Sequence, residues 1–154
     1  MRIITWNCRY GFSEEKINHI AKFNPDLLII QECMEPDLLD CKKVWSNVDW
    51  YGDHLEFNKY KKGGDLGIGI FSNKYTFSIT KFHNSAIRYV VPYKVKTEDR
   101  EIYLFSTWTK TEGCKKPYIG QINEALNYPG YQSLLNDSIF IGDFNANKIW
   151  DIKE

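Results

Sequence analysis

The sequence predicts an α/β protein whose buried β-strands end in carboxylates and amides. Three observations carry this. The chain opens on an apolar strand, an amphipathic helix and a second apolar strand joined by short links. Aromatic residues make up 16% of it, an unusually high share that suits a packed, strand-rich core. Four separate apolar runs stop at polar residues. At 154 residues with 43% apolar content, the chain is the size of one domain around a single core. No repeat, low-complexity segment or linker divides residues 1–154.

Residues Arg2 to Trp6 form a β-branched and aromatic run that stops at Asn7. A helix is expected over Glu14 to Phe23. Ser13 is placed to cap it, Glu14 and Glu15 suit its positive end, and Ile17, Ile20 and Ala21 share one face. Asn24-Pro25-Asp26 ends the helix, and Leu27-Leu28-Ile29-Ile30 reads as a strand covered on both faces, stopping at Gln31-Glu32. The three form a parallel, right-handed unit. Gly63-Gly64 and the alternation of Leu66, Ile68 and Ile70 predict a turn feeding a strand. Further strands are expected near Tyr75–Lys81 and Ile87–Lys96. A turn at Thr97–Arg100 pairs the latter with Ile102–Thr107 as an antiparallel hairpin. Pro92 argues for a sheet edge or a bulge. Tyr118 to Leu135 reads as helical, with Ile119, Ile122, Ala125 and Leu126 on one side and a break at Pro129-Gly130. Ser138–Gly142 is a last strand, stopping at Asp143-Phe144-Asn145.

Twenty basic residues balance twenty acidic ones, so there is no electrostatic case for tight non-specific nucleic-acid binding. A nuclease is not excluded, because a bound divalent cation supplies the charge that a phosphate needs. Cys8, Cys33, Cys41 and Cys114 show no metal-ligand spacing, and no signal peptide opens the chain. Reduced thiols in a cytoplasmic protein are expected. No apolar run approaches membrane-spanning length.

The four polar strand ends are Thr5-Trp6-Asn7, Ile30-Gln31-Glu32, Ser106-Thr107-Trp108 and Ile141-Gly142-Asp143-Phe144-Asn145. Strands that end together place such residues along one rim of a sheet. Mg²⁺, or alternatively Mn²⁺, takes oxygen ligands that include one or two carboxylates, and Glu32 and Asp143 aided by Asn7 and Asn145 match that set. Singly, each residue has a plainer reading. Asn7 suits a turn, Glu32 a cap on a short helix near Glu35–Pro36, and Gly142–Asn145 a β-turn. Their joint appearance after apolar strands favours a site.

Here the sequence resembles the endonuclease/exonuclease/phosphatase superfamily, with its DNase I-like four-layered α/β sandwich. The resemblance rests on Ile3-Ile4-Thr5-Trp6-Asn7, on Pro25-Asp26 followed by an apolar strand ending in Gln31-Glu32, and on Gly142-Asp143-Phe144-Asn145. The three motifs stand in the family's order and span the whole chain. The resemblance implies Glu32 as the principal metal ligand, with Asn7 either beside it on the metal or supporting the ligands from behind. It implies Asp143 as the group that orients or deprotonates water, and Asn145 as a hydrogen-bond donor to phosphate. Trp108 occupies a position where many members carry His or Tyr. It is either a phosphate donor or stacking platform, or plain core, since an indole N–H donates but cannot trade protons.

The family's closing Ser-Asp-His segment has no counterpart before Glu154, so the domain is expected to be truncated before its closing strands. Asp53-His54 lies in the wrong part of the chain to replace it, and His19 and His83 read as surface or structural residues. An uncovered sheet edge is then expected to favour self-association. The leading expectation is Mg²⁺-dependent phosphodiester hydrolysis, with nucleic acid as substrate. A phosphatase or phospholipase of the same superfamily is the nearer alternative, and a catalytically incomplete interaction module the more distant one. Lys59–Lys62 reads as a solvated basic loop rather than a phosphate contact.

Overall fold

The computed structural model describes residues 1–52, 66–110 and 118–146. Gly63-Gly64, Asp53-His54, Lys59–Lys62 and Cys114 lie outside the described residues.

The opening unit is as expected. Strand β1 (Ile3–Asn7), helix α1 (Glu14–Ala21) and strand β2 (Leu27–Met34) form a β-α-β unit in which β1 and β2 pair in parallel, Ile3 against Leu27 through Asn7 against Gln31. Ser13 stands at the N-cap position, but its side chain makes no capping hydrogen bond. A 3₁₀ turn (Glu35–Asp37) and the short helix α2 (Leu38–Cys41) follow. Strand β3 (Asn47–Gly52) was not legible in the sequence. It pairs antiparallel with β4 (Leu66–Ser72), which pairs antiparallel with β2, giving a sheet of order β1-β2-β4-β3.

The second sheet has order β5-β6-β7-β8, built of Thr76–Ile79, Val90–Lys96, Glu101–Trp108 and Ser138–Asp143. The β6–β7 hairpin forms as expected, closed at Thr97, whose N–H and hydroxyl both donate to the Arg100 carbonyl. Pro92 is neither at an edge nor in a bulge. It lies in interior strand β6, yet its ring nitrogen faces the side where the β5 ladder has already ended at Ile79, so no donor is missed. The helical stretch divides into α3 (Ile119–Asn127) and α4 (Pro129–Gln132), with Tyr128 extended between them and Pro129 in the first turn of α4. Ile122, Ala125 and Gln121 face inward, whereas Ile119 and Leu126 are exposed, a rotation of the expected face. After a 3₁₀ turn (Leu135–Asp137), β8 returns parallel to β7.

The two sheets pack face to face. Their shared core holds Leu27, Ile29, Ile68, Ile70, Val91, Tyr93, Leu104 and Trp108. α1 and α2 cover the outer face of the first sheet through Ile17, Ile20 and Cys41, joined by Phe12 and Trp45 from the adjoining loops. α3 and α4 cover the second through Ile122, Ala125 and Tyr131, with Leu134 just beyond α4. The result is the four-layered α/β/β/α arrangement expected. The polar strand ends belong not to one sheet but to two parallel pairs, β1–β2 and β7–β8, which meet across the inter-sheet core.

Candidate functional site

Asn7, Glu32 and Asp143 converge where these two pairs meet. The Asn7 amide nitrogen donates to Glu32 Oε1 at 2.9 Å and to Asp143 Oδ2 at 2.7 Å. One neutral amide therefore bridges two carboxylates separated by most of the sequence, and all three are partly buried.

Local backbone geometry aims each group. Between Gln31 and Cys33 the β2–β4 register shifts, and Glu32 takes a positive φ of 58°. Such a bulge turns a side chain out of the alternation of its strand. The loop after β1 then supplies donors. Arg9 N–H donates to Asn7 Oδ1 at 2.9 Å, Tyr10 N–H to Glu32 Oε2 at 3.1 Å, and Gly11 N–H to the Glu32 carbonyl at 2.9 Å. Three successive residues of this loop, Arg9, Tyr10 and Gly11, have positive φ. Lys16 on α1 holds the loop from behind, its ammonium donating to the carbonyls of Cys8 and Gly11. Asp37 ties the loop to the bulge, accepting from Phe12 N–H at 2.6 Å and Met34 N–H at 2.8 Å. Glu32 is thus no helix cap.

Asp143 is set differently. Gly142 has φ 144°, and a Cβ there would come within 1.9 Å of the Thr107 carbonyl oxygen, so only glycine lets β8 close onto β7 at this point. Asp143 Oδ1 accepts from Asn145 N–H at 3.0 Å, which makes the Asp143–Asn145 segment a turn as well as a strand end. Thr109 fastens this turn to β7. Its N–H donates to the Asp143 carbonyl at 3.0 Å, its hydroxyl to the Phe144 carbonyl, and its own carbonyl accepts from Asn145 Nδ2 at 2.8 Å. Asn145, exposed and with φ 45°, keeps one amide N–H in hand, since its nitrogen carries two.

Trp108 pairs with Asp143 in register, but its indole is only 4% exposed and packs in the inter-sheet core against Tyr89, ring centroids 4.9 Å apart. The Lys110 ammonium covers it 3.5 Å from the ring centroid, so no ring face lies open for stacking. His19 is exposed on α1. His83 packs edge-on against Tyr51 at 4.8 Å, and burial lowers its pKa. Cys8, Cys33 and Cys41 are buried free thiols, and desolvation pushes those of Cys8 and Cys41 up to about 12.

Sequence reasoning missed Thr109, Asp37 and Lys16. Each acts through backbone partners, which residue type alone does not reveal. The donor set that remains is all oxygen. Among the described residues no group of three His, Cys, Asp or Glu side chains stands together. Each Glu32 oxygen accepts one hydrogen bond and retains a second lone pair, and Asn7 Oδ1 likewise retains one. These lone pairs on Glu32 and Asn7 form an all-oxygen set of the kind that could hold a hard cation.

No family model matches the chain, and no curated protein matches it. Solved structures do. TDP2 from Caenorhabditis elegans aligns at TM-score 0.62 and 15% identity over 99% of this chain and 49% of its own. The endonuclease domain of TRAS1, a telomere-specific non-LTR retrotransposon, aligns at TM-score 0.56 and 17% identity over 96% of this chain and 61% of its own. The mannosyl-6-phosphatase of Bacteroides thetaiotaomicron aligns at TM-score 0.59 and 16% identity over 96% of this chain and 66% of its own. The chain spans about half the length of the TDP2 structure. At these identities the likeness shows the fold.

Proposed function

We propose, from a chain that has the fold of the endonuclease/exonuclease/phosphatase superfamily, that it is a metal-dependent phosphodiester hydrolase acting on nucleic acid. The observation that carries this is the Asn7 bridge between Glu32 and Asp143. A bound Mg²⁺ (or Mn²⁺) would supply positive charge to the phosphate and to the leaving oxygen. Glu32 and Asn7 would hold it. Asp143, fixed by Asn7 on one oxygen and by Asn145 N–H on the other, orients a water and accepts its proton. The remaining Asn145 amide N–H donates to a phosphate oxygen, where charge grows in the transition state.

The buried free thiols suit a reducing compartment, which supports a cytoplasmic protein. No helix among the described residues is long and apolar enough to cross a membrane. β1 and β8 are both sheet edges, the surfaces through which self-association would run. A phosphomonoester substrate is the second reading, favoured by the likeness to a phosphatase.

The test is a Mg²⁺ titration with plasmid DNA, RNA, a generic phosphodiester and a phosphomonoester, comparing wild type with Glu32→Ala and Asp143→Ala. Each substitution is expected to lower turnover by roughly 10²–10⁴-fold. Turnover unaffected by both would sink the site. Phosphomonoester cleavage alone would select the second reading, and no turnover on any substrate would leave an interaction module.

A further inference from the structure

The loop after β1 turns its backbone inward and leaves one cation outside. The N–H groups of Arg9, Tyr10 and Gly11 go to Asn7 Oδ1, Glu32 Oε2 and the Glu32 carbonyl. On the other side the Lys16 ammonium donates to the carbonyls of Cys8, Arg9 and Gly11. The main chain of the loop is therefore engaged twice, its amides by the acidic rim and its carbonyls by α1. Arg9 itself is exposed, and among the described residues no acceptor meets its guanidinium. Other cations are occupied. The Arg2 guanidinium donates to the Phe23 carbonyl, and Lys43 and Lys94 pair with Asp40 and Glu101.

The backbone makes arginine a costly choice at this position. At φ 49° Arg9 holds a left-handed conformation that glycine adopts without strain. Its two hydrogen bonds come from its main chain, which glycine would supply equally well. A long cationic side chain kept at a strained position, with no internal contact to make, points to a task outside the fold. Its neighbours say which task. Arg9 is bonded to the side chain of Asn7 and precedes the residue whose N–H holds Glu32. A guanidinium presents its donors as a planar fork that matches two oxygens of one phosphate. Glu32 and Asp143 make the rim acidic and the chain has no net charge, so a polyanion needs a local cation to approach it.

We infer that Arg9 is a substrate-binding residue of this site, its guanidinium holding a phosphate that flanks the bond to be cut. The site thereby favours a phosphodiester strand, which carries a second phosphate, over a lone phosphomonoester, which does not. This role rests on the hydrolytic reading of the same rim, and its own contact needs no metal.

The test is the binding of a fluorescein-labelled single-stranded oligodeoxynucleotide to the full chain, in a chelator and at several salt concentrations. Wild type is compared with R9Q, R9G, R9K and K96Q. R9G removes the side chain and the backbone strain together, so its denaturation midpoint should stay close to that of wild type. R9Q and R9G are expected to weaken binding about tenfold at low salt, and R9K to stay within about threefold of wild type. The slope of log affinity against log salt should become shallower by roughly 0.7 in R9Q, one phosphate contact on a single strand. The preference of wild type for the oligonucleotide over a 5′-mononucleotide should narrow in R9Q by the same factor as the affinity. Lys96, exposed at the opposite end of β6 from the rim, is the charge control, and K96Q should keep wild-type affinity and slope. Equal losses in K96Q and R9Q, unchanged binding in R9Q and R9G, or no binding by wild type at low salt overturns the inference. Binding lost in R9Q and R9G by a protein that hydrolyses nothing would uphold it while the hydrolytic reading fell. Turnover that depends on Glu32 and Asp143, with oligonucleotide affinity indifferent to Arg9, would do the reverse.

Discussion

The two strand-end units of this molecule share a topology and differ in how they hold a carboxylate. β1–α1–β2 and β7–α3–α4–β8 are both parallel crossovers, and each delivers one acidic residue to the inter-sheet rim. In the first, Glu32 is turned out by a bulge and gripped from outside, with Tyr10 N–H on one oxygen and Asn7 on the other. The donor loop is braced in turn by Lys16 and Asp37. In the second, Asp143 is gripped from within its own turn by Asn145 N–H, and that turn is bolted to β7 by Thr109. A carboxylate held by a donor on a braced neighbouring loop suits the proposed ligand, which must not move. One held by its own short turn, facing the other half through Asn7 alone, suits a group that handles water and protons. The same topology thus holds two carboxylates in two ways, and the difference lies in the loops.

Substitutions that damage one half and spare the other test this contrast. The largest effects belong to the backbone devices. Gly142→Ala forces a Cβ against the Thr107 carbonyl and should cost roughly 3 kcal/mol of stability. Asp37→Ala strands two backbone donors in the Glu32 half and should cost about as much, by the usual worth of hydrogen bonds to a charge. Chemical denaturation measures both. The accompanying loss of metal affinity should appear in Asp37→Ala alone; an equal loss in both variants would break the contrast.

Thr109→Val is subtler. It removes the donor to the Phe144 carbonyl at nearly constant volume and should cost about 1–2 kcal/mol. Its kinetic signature should be a lowered kcat at unchanged metal requirement, read from Mg²⁺ titrations of turnover.

The first half was legible before the structure because its chemistry is written in consecutive residues. Ile3–Asn7 and Pro25–Glu32 announce both their strands and their polar ends. The second half was legible at Gly142–Asn145 but not at Thr109 or Gln121, whose side chains bind main-chain atoms across 35 and 11 residues respectively. No pattern of residue types encodes such partners. β3 escaped notice because Val48 and Trp50 alternate with Asn47 and Asp49 over only six residues. The face of α3 was misjudged because apolar periodicity chose Ile119 and Leu126, whereas buried Gln121 takes the inward position and hydrogen-bonds the backbone of Lys110.

The smallest effect expected lies outside both units. His83 is half-buried against Tyr51, and desolvation holds its pKa below the usual 6.5. The unfolded chain therefore takes up its proton first as pH falls, so stability is complete above about 6.5 and declines below it. His83→Gln should flatten that part of the stability–pH curve without altering either carboxylate's role. A decline unchanged by the substitution would assign it to other groups.

The division of labour between Glu32 and Asp143 is tested most directly by Mn²⁺ binding, followed calorimetrically in wild type, Glu32→Gln and Asp143→Asn without substrate. Glu32→Gln is expected to lose about tenfold or more in affinity, and Asp143→Asn to stay within about threefold of wild type. Equal losses in the two variants, or affinity that depends on Asp143 alone, would contradict the account.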